Sequence, residues 1–210
     1  MSSQTMYFIA AIVPAIILHE VSHGFVANLF GDGTAKEQHR LTLNPLSHVD
    51  PFGTILLPLL LILAHAAPFG YAKPVPVNYS RLRNPRRDGF FVSLAGPVTN
   101  ILLAAISFPI VYFGWRHNLS TGILQFFDTF GLVNLLLAAF NLLPIPPLDG
   151  SAFIERLVPR KHLARYYEIR RMALPVLMVL ILLNNTVFHF WDGYFNSLQS
   201  WWDSHLISGF

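Results

Sequence analysis

Long apolar runs separated by short polar segments dominate this sequence. Residues 6–30, 89–115, 122–143 and 172–190 each reach the roughly 20 residues that a helix needs to cross a bilayer. Pro14 is expected to bend the first of these helices, and Gly31-Asp32-Gly33 to end it. The pattern therefore predicts four membrane-spanning helices.

Other segments of the pattern are less regular. The apolar run 53–67 is only about fifteen residues long and contains Pro58, which predicts a re-entrant or interfacial segment instead of a full crossing. Leu41-Thr42-Leu43 alternates like a short strand. Residues 151–171 carry six Lys or Arg and are predicted to be an interfacial amphipathic segment. The predicted fold is an all-α polytopic membrane protein: a bundle of about four to five transmembrane helices, a re-entrant or interfacial segment, and a small strand-like loop after the first helix.

Composition agrees with this class, because 53% of the residues are hydrophobic and only 12% are charged. The formal charge of +3 does not predict nucleic-acid binding, since the basic residues lie in short loops.

Eleven of the fourteen Lys and Arg lie in residues 71–87 and 156–171, which predicts that both loops are cytoplasmic and both termini outside. The aromatic tail, with Trp191, Trp201 and Trp202, is predicted to lie at the headgroups.

Polar chemistry is concentrated in the first apolar run, where His19-Glu20-Val21-Ser22-His23 stands among aliphatic residues. Residues four apart share a helix face, so both imidazoles can bind one metal ion with Glu20 beside them. Zinc accepts neutral imidazoles, and a carboxylate can take the proton of an attacking water. Because such groups are costly at membrane depth, a metal site explains them better than chance.

A catalytic zinc with two histidines lacks one protein ligand. Asp149 is the best candidate, because it follows the end of an apolar helix and the proline-rich stretch 144–147, whose irregular backbone is tolerated at depth only inside protein or beside a cavity. The alternative is an ordinary Asp-Gly turn at the water interface.

Three motifs in order carry a resemblance to a known family. They are His19-Glu20-x-x-His23, Gly96-Pro97-x-x-Asn100, and Asn141-Leu-Leu-Pro-Ile-Pro-Pro-Leu-Asp149-Gly150. Together they resemble the site-2 protease family of intramembrane zinc metalloproteases, in its short bacterial branch without PDZ or CBS modules.

The resemblance implies a role for each motif residue. One Zn²⁺ per chain would be held by His19, His23 and Asp149, with Glu20 as the catalytic base. Asn100 and Asn141 would lie near the substrate backbone.

Leu41, Thr42 and Leu43 could receive an unwound substrate by strand addition, or be ordinary loop. Asn134 is expected to tie helices together.

The predicted function is hydrolysis of peptide bonds in or near transmembrane segments of membrane proteins. Residues 1–210 would form a single membrane-embedded metalloprotease domain of the cell membrane, with the active site toward the cytoplasm. Its partners would be a transmembrane substrate and the lipid bilayer, with any regulation supplied by a membrane partner.

Two other classes remain open from the sequence. A membrane metal-handling or transport protein also places His and Asp at membrane depth, but Glu20 is unnecessary for binding by two His and one Asp. A catalytically silent adaptor would keep the fold without hydrolysis. Cleavage by the wild type, lost on Glu20→Gln, would separate the enzyme from both.

Overall fold

The computed structural model describes residues 3–63, 70–183 and 192–207. Nine α-helices lie in these ranges: α1 Ser3–Leu29, α2 Thr34–Glu37, α3 Leu57–Leu63, α4 Pro85–Arg116, α5 Thr121–Asn141, α6 Ser151–Leu157, α7 Leu163–Arg171, α8 Ala173–Leu183 and α9 Asp192–Ile207. A π-helical stretch, Pro51–Leu56, leads into α3.

Among the described residues, three helices are long and apolar enough to cross a membrane: α1, α4 and α5. They correspond to the first three predicted spans, and the prediction of an all-helical membrane protein is confirmed at this level. Of the fourth, α8 covers Ala173–Leu183, and the remainder of that span lies outside the described residues. The predicted total of about four to five spans stays a prediction.

The end of α1 follows from its sequence. Gly31 has a positive φ of 106°, which glycine adopts without the steric cost that a side chain would add. Asp32 N–H donates to the Ala27 carbonyl at 2.9 Å and Gly31 N–H to Asn28 at 3.1 Å, the pair of bonds of a Schellman motif. The predicted helix end at Gly31 is confirmed.

The three long helices pack against one another through small and apolar side chains. Ala11 and Ala15 of α1 are buried against Phe130 and Val133 of α5. Ala27, near the end of α1, packs with Val92 of α4. Lipid-facing positions such as Phe25 at 55% exposed and Leu102 at 57% exposed lie on the outer surface, as a bilayer requires. The buried side chains of His19 and His23 face the inside of the bundle, where Asn100 and Val92 of α4 contact them.

Two expectations differ from the observed structure. No β-strand occurs in the ranges that the structure describes, so the strand predicted at Leu41 to Leu43 is absent there. The backbone at Thr42 bonds to a side chain instead of a partner strand, since its carbonyl accepts from His48 Nε2 at 2.9 Å.

The second difference concerns the aromatic tail, which was expected at the lipid headgroups. Its helix α9 instead packs the Trp202 side chain against the other helices. Trp202 is 2% exposed, whereas Trp201 is 49% exposed. The Trp202 ring occupies the space beside Gly131 that a side chain there would fill. Its indole N–H donates to Asp128 at 2.9 Å, so Trp202 is an internal contact. Trp191 lies outside the described residues.

Candidate metal centre and active site

His19, His23 and Asp149 converge in the structure, with one ligand atom from each lying within 4.8 Å of the others. Asp149 Oδ2 lies 3.1 Å from His19 Nε2 and 3.4 Å from His23 Nε2. The two histidines are buried in α1, which presents them on one face because they are four residues apart. Asp149 reaches them from the loop after α5, where Gly150 N–H donates to the Asn141 carbonyl at 2.6 Å.

The hydrogen bonds of the two imidazoles leave both Nε2 atoms free to bind a cation. His23 Nδ1 lies 2.7 Å from the Val92 carbonyl oxygen, and His19 Nδ1 lies 2.5 Å from Asn100 Oδ1. Neither oxygen can donate, so in each neutral ring Nδ1 carries the proton and Nε2 keeps a lone pair. The two Nε2 atoms are 3.2 Å apart, and no described donor satisfies the buried Asp149 Oδ2. Three electron-pair donors this close repel one another without a cation, so the set fits a metal such as zinc.

Space for the two imidazoles comes from Gly96 of α4. A Cβ at this position would lie within van der Waals distance of the His19 ring and of His23 Nε2. The Gly96-Pro97 pair of the second motif therefore lets α4 approach the ligands closely. Any larger residue at position 96 would displace the ligands.

Glu20, next to the first ligand, is half-buried, and its carboxylate is held by a distant loop. The Val75 N–H donates to Glu20 Oε2 at 2.9 Å. Val75 lies between Pro74 and Pro76, which have no N–H, so it is the only backbone donor of that tripeptide. The Val75 side chain is buried at 6% exposed and packs beside Gly24, one turn after Glu20.

The segment that carries Val75 is anchored at both ends. Lys73 N–H donates to the His48 carbonyl at 2.9 Å, and Asn78 N–H donates to Asp32 Oδ2 at 2.6 Å. Arg40 donates to the carbonyls of Lys73 and Pro74 at 3.0 and 3.2 Å. Burial raises the pKa of Asp32, but hydrogen bonds from Thr34 and the Asn78 N–H outweigh it and hold that pKa below its usual value. Asp32 therefore bonds the segment as a carboxylate.

Comparisons with known proteins agree with this geometry. The family model for peptidase family M50 matches residues 116–184. A zinc metalloprotease by name, YwhC of Bacillus subtilis (strain 168), is 43% identical over 180 residues, covering 83% of this chain and 79% of the relative. This chain belongs to peptidase family M50. The predicted resemblance to the site-2 protease family is thereby confirmed.

More distant relatives of this M50 peptidase also have names that designate zinc metalloproteases. Rip2 of Mycolicibacterium smegmatis (strain ATCC 700084 / mc(2)155) is 33% identical over 150 residues, covering 70% of this chain but 55% of the relative. MJ0611 of Methanocaldococcus jannaschii is 32% identical over 146 residues, covering 69% of this chain and 67% of the relative. No solved structure matches the chain.

The two asparagines that were expected near the substrate lie in different environments. Asn100 is fully buried, and its amide bonds to His19 and to Asn134 Oδ1, the latter at 2.6 Å. In the M50 peptidase it therefore contacts the His19 ring and has no exposed surface. Asn141 is half-buried and donates to the Leu137 carbonyl of its own helix at 3.0 Å.

Leu41, Thr42 and Leu43 follow α2, and the first two of them border an open cavity. The cavity has a volume of about 460 Å³ and is lined by Lys36, His39, Leu41, Thr42 and Ser47. Leu41 also packs beside Gly24 on the face of α1 that carries Glu20. The segment thus connects a surface opening with the helix face of the candidate base.

Two contacts of the M50 peptidase were not foreseen from the sequence. The carbonyl of Val92 orients His23, and a backbone carbonyl gives no signal in a sequence. Val75 could have been suspected, because the prolines on both sides of it leave one N–H in an extended tripeptide. Asn134 was expected to tie helices together, and it does so, because its Oδ1 accepts from Asn100 Nδ2 of α4 at 2.6 Å.

Proposed function

We propose that this membrane zinc metalloprotease hydrolyses peptide bonds in or near the transmembrane segments of other membrane proteins, using a metal held by His19, His23 and Asp149. The observation that carries the proposal is the convergence of three ligand atoms within 4.8 Å beside Glu20 and inside the bundle of α1, α4 and α5. Membership in a peptidase family favours hydrolysis over metal transport.

The three ligands offer two neutral imidazoles and one carboxylate and leave a coordination position open for catalysis. When bound, zinc supplies a Lewis acid that lowers the pKa of a water molecule toward neutrality and polarises the scissile carbonyl. The chain fixes the ligands through the Val92 carbonyl and Asn100, which hold the two rings in the orientation that points Nε2 at the centre.

Glu20 is the general base and later the general acid. Its carboxylate accepts the proton of the attacking water and returns it to the leaving amine. The Val75 N–H donates to Oε2, and Oε1 has no such backbone donor competing for its lone pairs. That bond also limits rotation of the carboxylate and keeps the base at a fixed place beside His19.

The substrate backbone must be released from its helix before it can react, because helical carbonyls are already hydrogen-bonded. We propose that the released stretch lies along Leu41, Thr42 and Leu43, beside the cavity that Leu41 and Thr42 border. Asn141, whose carbonyl accepts from the Gly150 N–H at 2.6 Å, is the second candidate for contact with the substrate backbone. Asn100 is reassigned to positioning His19.

The chain is proposed to form one membrane-embedded domain over residues 1–210, crossing the membrane about four to five times, with the active site toward the cytoplasm. The ends of the short apolar segment support a re-entrant path for it. Tyr71 N–H donates to the Gly53 carbonyl at 3.1 Å, and Thr54 Oγ1 donates to the Tyr71 carbonyl at 2.9 Å. Groups this close cannot lie on opposite sides of a hydrocarbon core about 30 Å thick.

Cysteine labelling is expected to place the loops after α1 and before α4 on the same, cytoplasmic side. Arg83 N–H donates to the Phe30 carbonyl at 3.0 Å, so both loops share one membrane face. The chain has no native cysteine; single cysteines at Lys36 and Arg83 should react with an impermeant reagent only in inverted vesicles. A cysteine at Ser120, on the opposite side, should react only in intact cells. Opposite labelling of Lys36 and Arg83 would show that the segment 53–67 spans.

Cleavage of a single-span reporter in proteoliposomes tests the proposed function. A chelator should stop cleavage, and added zinc should restore it. Replacing one leucine by glycine near the cytoplasmic end of a poly-Leu reporter should raise the rate roughly fivefold, because glycine costs a helix about 1 kcal/mol relative to alanine. Equal rates across the series would contradict substrate unwinding as the limiting step. Absence of any fragment would favour the adaptor.

A further inference from the structure

A single chain of hydrogen bonds connects the three long helices and ends at a ligand of the metal centre. Asn134 Nδ2 of α5 donates to the Phe130 carbonyl at 2.8 Å. Asn134 Oδ1 accepts from Asn100 Nδ2 of α4 at 2.6 Å. Asn100 Oδ1 lies 2.5 Å from His19 Nδ1 of α1. Both amides are fully buried, so water does not compete for these bonds.

The direction of this chain is fixed by its far end. The Phe130 carbonyl can only accept, so the Asn134 amide must present Nδ2 to it and Oδ1 to Asn100. Asn100 must then present Nδ2 to Asn134 and Oδ1 to His19. With Oδ1 as its acceptor, His19 carries its proton on Nδ1 and directs the Nε2 lone pair at the metal centre.

A second bond restrains Asn100, but weakly. Asn100 Nδ2 also lies 3.4 Å from the Ala15 carbonyl, at the long end of hydrogen-bond distances. The hydrogen bond to Asn134 is therefore the shorter of the two that hold the Asn100 amide in place. If Asn134 is removed, the Asn100 amide can turn over and present its NH₂ group to His19, which favours the ring form with the proton on Nε2.

We propose that Asn134 is a positioning residue for the metal: it selects, through Asn100, the form of His19 that can bind zinc. The proposal rests on His19 being a ligand, as the proposed function states. Partners that orient a ligating histidine typically contribute about 10- to 100-fold to metal affinity. The same loss is expected when the Asn134 to Asn100 bond is removed, although the hydrogen bonds of Asn134 go to Asn100 and Phe130 and not to the three proposed ligands.

Zinc affinity of the purified full chain, measured by competition with a chelator, tests the proposal. Asn134→Ser keeps a group that can bond to the Phe130 carbonyl but is too short to reach Asn100, and should weaken zinc binding about 10- to 100-fold. Asn134→Asp should restore most of the affinity, because a buried neutral carboxyl has one oxygen to accept from Asn100 and one O–H for Phe130. Ser107→Ala is the matched control: Ser107 is buried in α4, and its hydroxyl donates to the Leu103 carbonyl of its own helix at 2.9 Å.

The absorption spectrum of the cobalt-substituted protein gives a second reading, since it responds to ligand geometry and not to general stability. It should change for Asn134→Ser and stay unchanged for Ser107→Ala. Wild-type zinc affinity and an unchanged spectrum in Asn134→Ser would overturn the proposal. His19→Ala separates this result from the proposed function: if that variant kept its zinc, His19 would not be a ligand, and the proposed site itself would fail.

Discussion

Glu20→Gln should lower the rate of reporter cleavage by about 10²- to 10⁴-fold and leave the zinc content unchanged. The amide keeps the size of the side chain and still accepts from the Val75 N–H, but it cannot take the proton of the attacking water. A general base typically contributes a factor of this order. Both imidazoles and Asp149 are untouched, so metal binding should persist.

Cleavage rate and zinc content must therefore be measured on the same preparation. Glu155→Gln is a suitable control, because Glu155 pairs with Arg170 at 2.9 Å between α6 and α7 and is not one of the proposed ligands. It should cleave at the wild-type rate. Full cleavage by Glu20→Gln would show that Glu20 is not the general base. Loss of zinc in that variant would show that Glu20 is a metal ligand.

The convergence of the three proposed ligands was partly predictable, because it depends on simple geometry. His19 and His23 are four residues apart in a helix, and this spacing alone places both rings on one face. Asp149 was predictable from chemistry, since an anion following a proline-rich stretch at membrane depth needs a buried partner. The structure brings the three together through the loop after α5, whose path no periodicity could predict.

Asn100 shows where prediction from the sequence stops. An asparagine in an apolar helix must find hydrogen-bond partners, but substrate backbone, a neighbouring helix and a ligand histidine are equally compatible with the sequence. Which of these partners the Asn100 side chain meets depends on how α4 is rotated about its own axis relative to α1 and α5. Gly96, one turn earlier, sets that rotation by admitting the imidazoles, and Asn100 then lies behind His19.

Backbone groups were the least predictable part of the site. The Val75 N–H and the Val92 carbonyl belong to residues whose side chains are purely apolar, so no motif records them. Trp202 was misplaced for a related reason: an aromatic residue suits the headgroup region and a protein interior equally well. Its burial depends on Gly131, in another helix, which leaves room for the ring.

Asp149→Ala should lower zinc affinity on the order of 100-fold or more and abolish cleavage. It removes one of the three proposed ligands and the only anion among them, so the loss should exceed the 10- to 100-fold typical of groups that merely orient a ligand. It also leaves the two Nε2 atoms, 3.2 Å apart, without the negative charge that favours a cation between them. Metal analysis after dialysis against a weak chelator measures the first effect, and the reporter assay measures the second.

The matched control is Asp128→Asn, which changes a carboxylate in α5 that bonds to Trp202 and keeps an acceptor for the indole N–H. Its zinc content should equal that of the wild type. Glu20→Gln should lose cleavage but keep zinc, because Glu20 is proposed to accept the proton of the attacking water. Asp149→Ala should lose both zinc and cleavage, because Asp149 is proposed to bind the metal. Undiminished zinc in Asp149→Ala would remove it from the ligand set and leave the short contacts of its carboxylate with both histidines to be explained as an ion pair.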